Sequence, residues 1–98
     1  MKFKDALLAA KLLNASVLLP VKMGFFIKVR IAQEMYAAPS IPADLVEKYD
    51  LGTVAENYEC NIFEIDMTTN KQIAAIQDRW IQWSVNESDI HRDSFMLL

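Results

Sequence analysis

The sequence predicts a mainly α, small α+β fold of three to four helices with one or two short strands, and three observations predict it. Only two glycines and three prolines interrupt 98 residues, so regular structure should dominate. Apolar residues recur at helical spacing in the stretches 2–13, 20–36 and 73–83. A period-two pattern is confined to the region that starts at Tyr58. At this length one hydrophobic core is all the chain can bury, so residues 1–98 are expected to form a single domain.

Phe3, Leu7, Ala10 and Asn14, with Leu8 and Leu12 beside them, predict an amphipathic first helix from Lys2 to Leu13. It should end near Asn14-Ala15-Ser16, whose polar side chains compete for backbone hydrogen bonds. Val17-Leu18-Leu19 then leads extended into Pro20, which suits the first turn of a helix. From Pro20 to Tyr36 the wheel gathers Lys22, Arg30, Gln33 and Glu34 in one polar arc. Val21, Phe25, Val29, Ala32 and Tyr36, with Ile27, Ile31 and Met35, make a broad apolar arc, as a central helix requires. Phe26 falls among the polar positions and Lys28 within the apolar arc. Lys28 reads either as a snorkelling stem or as a charge aimed into a groove or subunit contact.

Ala38-Pro39-Ser40-Ile41-Pro42 is a break, after which Ser40 is placed to cap a short helix from Ile41 or Pro42 to Tyr49, with Gly52 placed to end it. From Thr53 to Asp66 the pattern changes: Tyr58, Cys60 and Ile62 alternate with Glu59 and Asn61, which predicts a strand there. Thr69-Asn70-Lys71-Gln72 fits a capping box opening a helix with Ile73, Ile76, Trp80 and Trp83 on one narrow face, which should stop near Asn86. Ile90 to Leu98 reads as extended, and its apolar end, Phe95-Met96-Leu97-Leu98, should pair or dock. The Tyr58 and Phe95 strands are expected to pair with each other or with a partner chain.

Hydrophobic residues make up 53% of the chain, a high share for so small a domain, so part of that surface is expected against another chain. Residues 1–38 hold six Lys/Arg against two acids, a net of +4, while 39–66 hold seven acids against Lys48, a net of −6. Such asymmetry implies a basic helix beside an acidic strand or loop, or two copies meeting head to tail. An acidic chain without a Lys/Arg run is a poor nucleic-acid binder. Asp5 and Lys11 break a signal-like opening, and Lys22 and Lys28 interrupt the longest apolar run, so no membrane span is expected.

Little chemistry stands out. Asp89-x-His91-x-Asp93 is ligand-like because the three would share one side of a strand, yet it reads as the solvent side of a terminal strand. Cys60, the only cysteine, fits a reducing cytosol and a small buried hydrophobe; with the lone His91 it cannot build an ordinary zinc site. Glu56 with Glu59, and Glu64 with Asp66, read as solvated edges, and two glycines cannot build a phosphate loop. No catalytic residue, metal site or cofactor is therefore expected. The candidate residues are those of an interface: Phe26, Lys28, Trp80, Trp83, Phe95 and Leu97.

The order of features resembles an uncharacterised family of small proteins encoded by tailed phages and prophages. The resemblance is carried by Leu7 to Leu13, Leu19-Pro20-Val21-Lys22, Val46-Glu47-Lys48-Tyr49, Ile73 to Trp83 and Val85 to Ile90. The chain departs from the family pattern at Pro39 and Pro42, which interrupt a longer helix, and at Trp80 and Trp83. The family supplies no catalytic residues. The resemblance implies mainly a phage origin; the excess of apolar residues and the hydrophobic C-terminus add the expectation of an accessory or assembly protein, not an enzyme, which works by protein–protein contact as a homo-oligomer in the bacterial cytoplasm or in the virion. Its partner would be itself, a phage structural protein or a host protein. The alternative, suggested by the acidic 39–66 segment, is a small inhibitor that occupies a basic site on a host enzyme.

Overall fold

The computed structural model describes residues 1–69 and 71–98. The mainly helical expectation is overturned, because strand residues outnumber helical ones. The strands β1 (Val17–Lys22), β2 (Phe25–Ile31), β3 (Tyr58–Asp66), β4 (Lys71–Ala75), β5 (Ile81–Gln82) and β6 (Met96–Leu97) form one antiparallel sheet. Its order is β4-β3-β2-β1-β6, with β5 also paired to β3. Three short helices, α1 (Phe3–Leu13), α2 (Ala43–Lys48) and α3 (Glu87–Ile90), accompany it.

The stretch read as a central helix is the hairpin β1–β2. Phe25, Ile27, Val29 and Ile31 alternate with Phe26, Lys28 and Arg30, which is period two. The alternation hides because both sides of β2 are covered, and a strand covered on both sides is apolar nearly throughout. Met23-Gly24 makes the turn, with Gly24 at φ +81°, a conformation that glycine adopts without a Cβ clash. Pro20 starts no helix. Ser16 and Leu98 exchange backbone hydrogen bonds of 3.2 and 3.0 Å, so by alternation the backbone of Pro20 points to the same outer edge as that of Ser16, beyond the reach of β6. The missing N–H therefore costs no ladder bond and blunts that edge.

The second expected helix, from 69 to 86, is also absent. Lys71 begins β4, and the expected capping box includes Asn70, which lies outside the described residues. The ladder of β4 continues to the Ile76 N–H, which donates to the Ile62 carbonyl at 2.7 Å, and a β-bulge interrupts it between the Glu64 and Ile65 pairs. Buried Asn61 then clamps the crossing to β5: its Nδ2 donates to the Gln77 carbonyl at 3.1 Å and its Oδ1 accepts from the Gln77 N–H at 3.3 Å. Edge pairing with β3 overrides the helical preference of Ala74-Ala75. Thus Leu19–Lys22 and Ile73 to Trp83, two of the stretches that carry the phage-family resemblance as helices, are not helical here.

Other elements fall where expected. α1 ends at Asn14, which takes a left-handed φ of 51°. The strand expected between Thr53 and Asp66 is β3, which starts at Tyr58 and ends at Asp66. α2 forms, but Ser40 does not cap it; Pro42 occupies that position, and Asp50 at φ 53°, rather than Gly52, takes the left-handed turn beyond its end. Asn86 opens α3 instead of closing a helix, and its side chain and that of Asp89 form a reciprocal capping box. The Tyr58 and Phe95 strands do not pair with each other, since β6 pairs with β1.

Two apolar clusters sandwich the sheet. On the helix side Phe3, Ala6 and Leu7 of α1 pack on Val17, Leu19 and Val29, joined by Tyr58, Trp83 and Phe95. The Phe3 ring stands 5.8 Å from Trp83 and 5.6 Å from Phe95. On the opposite side Leu18, Phe26, Phe63 and Ile65 are buried with Trp80 and Met96 against them. Each such large side chain contributes roughly 1.5–3 kcal/mol of burial.

Candidate functional site

The side of the sheet away from the helices carries the most developed polar cluster. The register sets Arg30 on β2 opposite Glu59 on β3, and Lys28 opposite Asn61. Arg30 Nε donates to Glu59 Oε1 at 2.7 Å, although Glu59 is only 2% exposed. The guanidinium lies 3.7 Å from the centroid of Trp80, and its Nη2 reaches Gln33 Oε1 at 3.4 Å. Tyr36 OH donates to the other Glu59 oxygen at 3.2 Å. Burial, and then that bond to a carboxylate, pushes the Tyr36 phenol above its ordinary range.

The cluster floors an open cleft of about 530 Å³ between residues 33–36 and 78–82, with Glu34, Asp78 and Arg79 at its rim. Both Glu59 oxygens already have donors, so the cleft offers no free buried base. What the arrangement does is fasten the segment after β2 and the segment before β5 to the sheet. The charge asymmetry of the sequence is absorbed in the same way: Arg30 meets Glu59, Lys11 meets Glu56 at 2.6 Å and Lys4 meets Asp50 at 3.6 Å. The acidic strand β3 meets a basic strand, β2, while helix α1 meets the acidic loops at Asp50 and Glu56 through Lys4 and Lys11.

Lys28 lies half-buried on this side, with Nζ 5.2 Å from the Phe63 ring centroid and donating to Gln72 Oε1 at 2.9 Å. Burial, with Arg30 nearby, lowers the pKa of its ammonium. Its partner is therefore a neutral amide. Of the other interface candidates, Phe26 belongs to the same cluster, Trp80 half-covers it, Trp83 and Phe95 are buried on the helix side, and Leu97 is half-buried beside them. The six residues thus split between the two sides of the sheet.

Asp89, His91 and Asp93 do not share a strand. Asp89 caps α3, and the Asp93 carbonyl accepts from the Met1 ammonium at 3.1 Å. His91 Nε2 lies 3.0 Å from Tyr49 OH. Among the described residues no group of three or more His, Cys, Asp and Glu could hold a metal ion. Cys60 sits on the helix side, where burial and then the Glu59 charge raise the pKa of its thiol. Among the described residues no helix is long and apolar enough to cross a membrane.

Sequence reasoning missed a different surface. Two rows of side chains cross the helix side of the sheet: Val17–Val29–Cys60–Ile81, and Leu19–Ile27–Ile62 with Ile76 beyond it. All eight are apolar. Cover is complete at one end, with Val17 at 1% and Leu19 at 2% exposed, and stops before the other, with Ile81 at 46% and Ile76 at 53%. α1 lies against β1, β6 and α3, on the covered half.

The fold and the cluster define a small antiparallel sheet layered by helices on one side and carrying a buried ion pair on the other. No family model matches the chain, and neither a curated protein nor a solved structure does.

Proposed function

We propose that this chain works by protein–protein contact, as a homo-oligomer, in an accessory or assembly role. The observation that carries the reading is the pair of apolar rows whose cover ends halfway, leaving Ile76 and Ile81 in water. Contiguous exposed aliphatic surface of this kind is what an interface buries. The tailed-phage setting is supported by the order of the short motifs that resemble that family. The acidic-inhibitor alternative has less support, because Asp50, Glu56 and Glu59, three of the seven acids in 39–66, are already paired with Lys4, Lys11 and Arg30. Light scattering after size exclusion, at several concentrations and two salt levels, tests the proposal. An oligomer that survives high salt supports an apolar contact; a monomer at every concentration overturns it.

A further inference from the structure

We infer that the uncovered half of the helix side, over Ile62, Ile76 and Ile81, is the seat of a second copy of this chain, in a two-fold contact where the patch meets itself. The inference rests on the homo-oligomer reading and names its surface.

Area is the first argument. The chain exposes 6201 Å², whereas a compact monomer of its 11.2 kDa exposes about 5,700 Å² by the usual scaling with mass. The excess, about 500 Å², is the size of one copy's share of the smallest specific interface, about 1,000 Å² in all, and Ile76 and Ile81 contribute to it alongside Met23, Met35 and Leu12 elsewhere on the surface.

The charge pattern is the second. In a two-fold contact the same patch lies on both copies, so any net charge near the axis faces itself and repels. The two rows contain no charged residue from end to end, and Glu64 appears only in the next row, opposite Phe25 and Ala74. The cleft on the opposite side is rimmed by Glu34, Asp78 and Arg79, charges that a two-fold contact there would have to desolvate. Two sheets meeting on these rows pack about 10 Å apart, a spacing that aliphatic side chains fill.

Charge substitution at an exposed position of the patch provides the test, with near-UV circular dichroism to verify the fold. Ile76→Glu and Ile76→Lys should each raise the dissociation constant on the order of a hundredfold, as like charges meet across the axis. Mixed one to one, the two variants should regain the wild-type mass in light scattering. Leu12→Glu, on the outer side of α1, serves as control and should leave the mass unchanged. An oligomer that persists in both Ile76 variants overturns this surface while leaving self-association intact. Variants that fall apart singly but do not recover on mixing overturn the two-fold arrangement. A wild-type chain that is monomeric throughout removes both readings.

Discussion

Arg30 and Glu59 face each other across the β2–β3 ladder, Nε to Oε1 at 2.7 Å, with the Trp80 ring 3.7 Å from the guanidinium. Desolvation makes the two partners unequal: the carboxylate is buried, while the arginine side chain is 31% exposed. Removing Arg30 leaves Glu59 with only Tyr36 as donor. Arg30→Ala should therefore cost about 2–4 kcal/mol, somewhat below the range for fully buried pairs because of the solvent at Arg30. Glu59→Gln should cost only about 1 kcal/mol, and the double variant Arg30→Leu with Glu59→Leu should recover most of the loss. Urea unfolding measures all three. If Arg30→Ala changes the midpoint no more than a surface substitution, the carboxylate is not desolvated.

The two tryptophans, three apart in sequence, lie on opposite sides of the sheet. Trp83 is 7% exposed between Phe3, Tyr58 and Phe95, whereas Trp80 half-covers Phe63 beneath Arg30. In Trp80→Phe, where Trp83 is the sole tryptophan, emission should be blue-shifted and poorly quenched by acrylamide; in Trp83→Phe it should be red-shifted and more readily quenched. Similar quenching in both would contradict the split. Trp83→Ala should cost about 3–5 kcal/mol, the value for emptying a large aromatic site.

That pair also shows where the sequence could be read and where it could not. Between Tyr58 and Asp66 the alternation of Tyr58, Cys60 and Ile62 with Glu59 and Asn61 is unmasked, so β3 and its end at Asp66 were legible, though not its start. β2 was not, because the stems of Lys28 and Arg30 and the Phe26 ring cover its second side and blur period two into a helical arc. From Ile73 to Trp83 the local pattern is helical, and only the distant edge of β3, with the Asn61 clamp, decides otherwise. The ion pair depends on register: nothing local says that Arg30 meets Glu59 rather than Glu56 or Glu64. The uncovered rows were equally hidden, since they run across four strands rather than along one.

Ser40 gives a local test of the same kind. Expected as a helix cap, it is instead 1% exposed and wired to β3, its Oγ donating to the Tyr58 carbonyl at 3.1 Å and accepting from the Tyr58 N–H at 2.7 Å. The Tyr58 carbonyl has a second donor in the Trp83 N–H at 2.9 Å, but Oγ is the acceptor for the Tyr58 N–H. Ser40→Ala should cost about 1–3 kcal/mol, the penalty for stranding a buried donor. Amide hydrogen exchange separates the roles: Tyr58 should lose protection while the first turn of α2 is unchanged. The reverse pattern would restore Ser40 as a cap.

The contact between α2 and α3 should be sensitive to pH at both extremes. Lys48 Nζ and Tyr49 OH both donate to Glu87 Oε2, at 2.8 and 2.5 Å. With its proton committed there, the Tyr49 oxygen accepts from His91 Nε2–H at 3.0 Å. The Lys48 bond, then the Tyr49 bond, hold the Glu87 carboxyl below its ordinary value of 4.5. The Glu87 bond holds Lys48 above 10.5 and Tyr49 above 10.0. A depressed carboxylate contributes stability that is complete above its unfolded value and is lost as pH falls through the folded one. A raised lysine contributes stability that is complete below its unfolded value and is lost as pH rises through the folded one. Wild type should therefore exceed Glu87→Gln in urea midpoint by a constant gap between the two unfolded values, narrowing as pH falls below the ordinary Glu87 value of 4.5 and again as pH rises above the ordinary Lys48 value of 10.5. Salt should shrink the gap throughout, because all three groups meet solvent. A gap that does not narrow as the solution is acidified would mean that the Glu87 side chain acts through packing and not through charge.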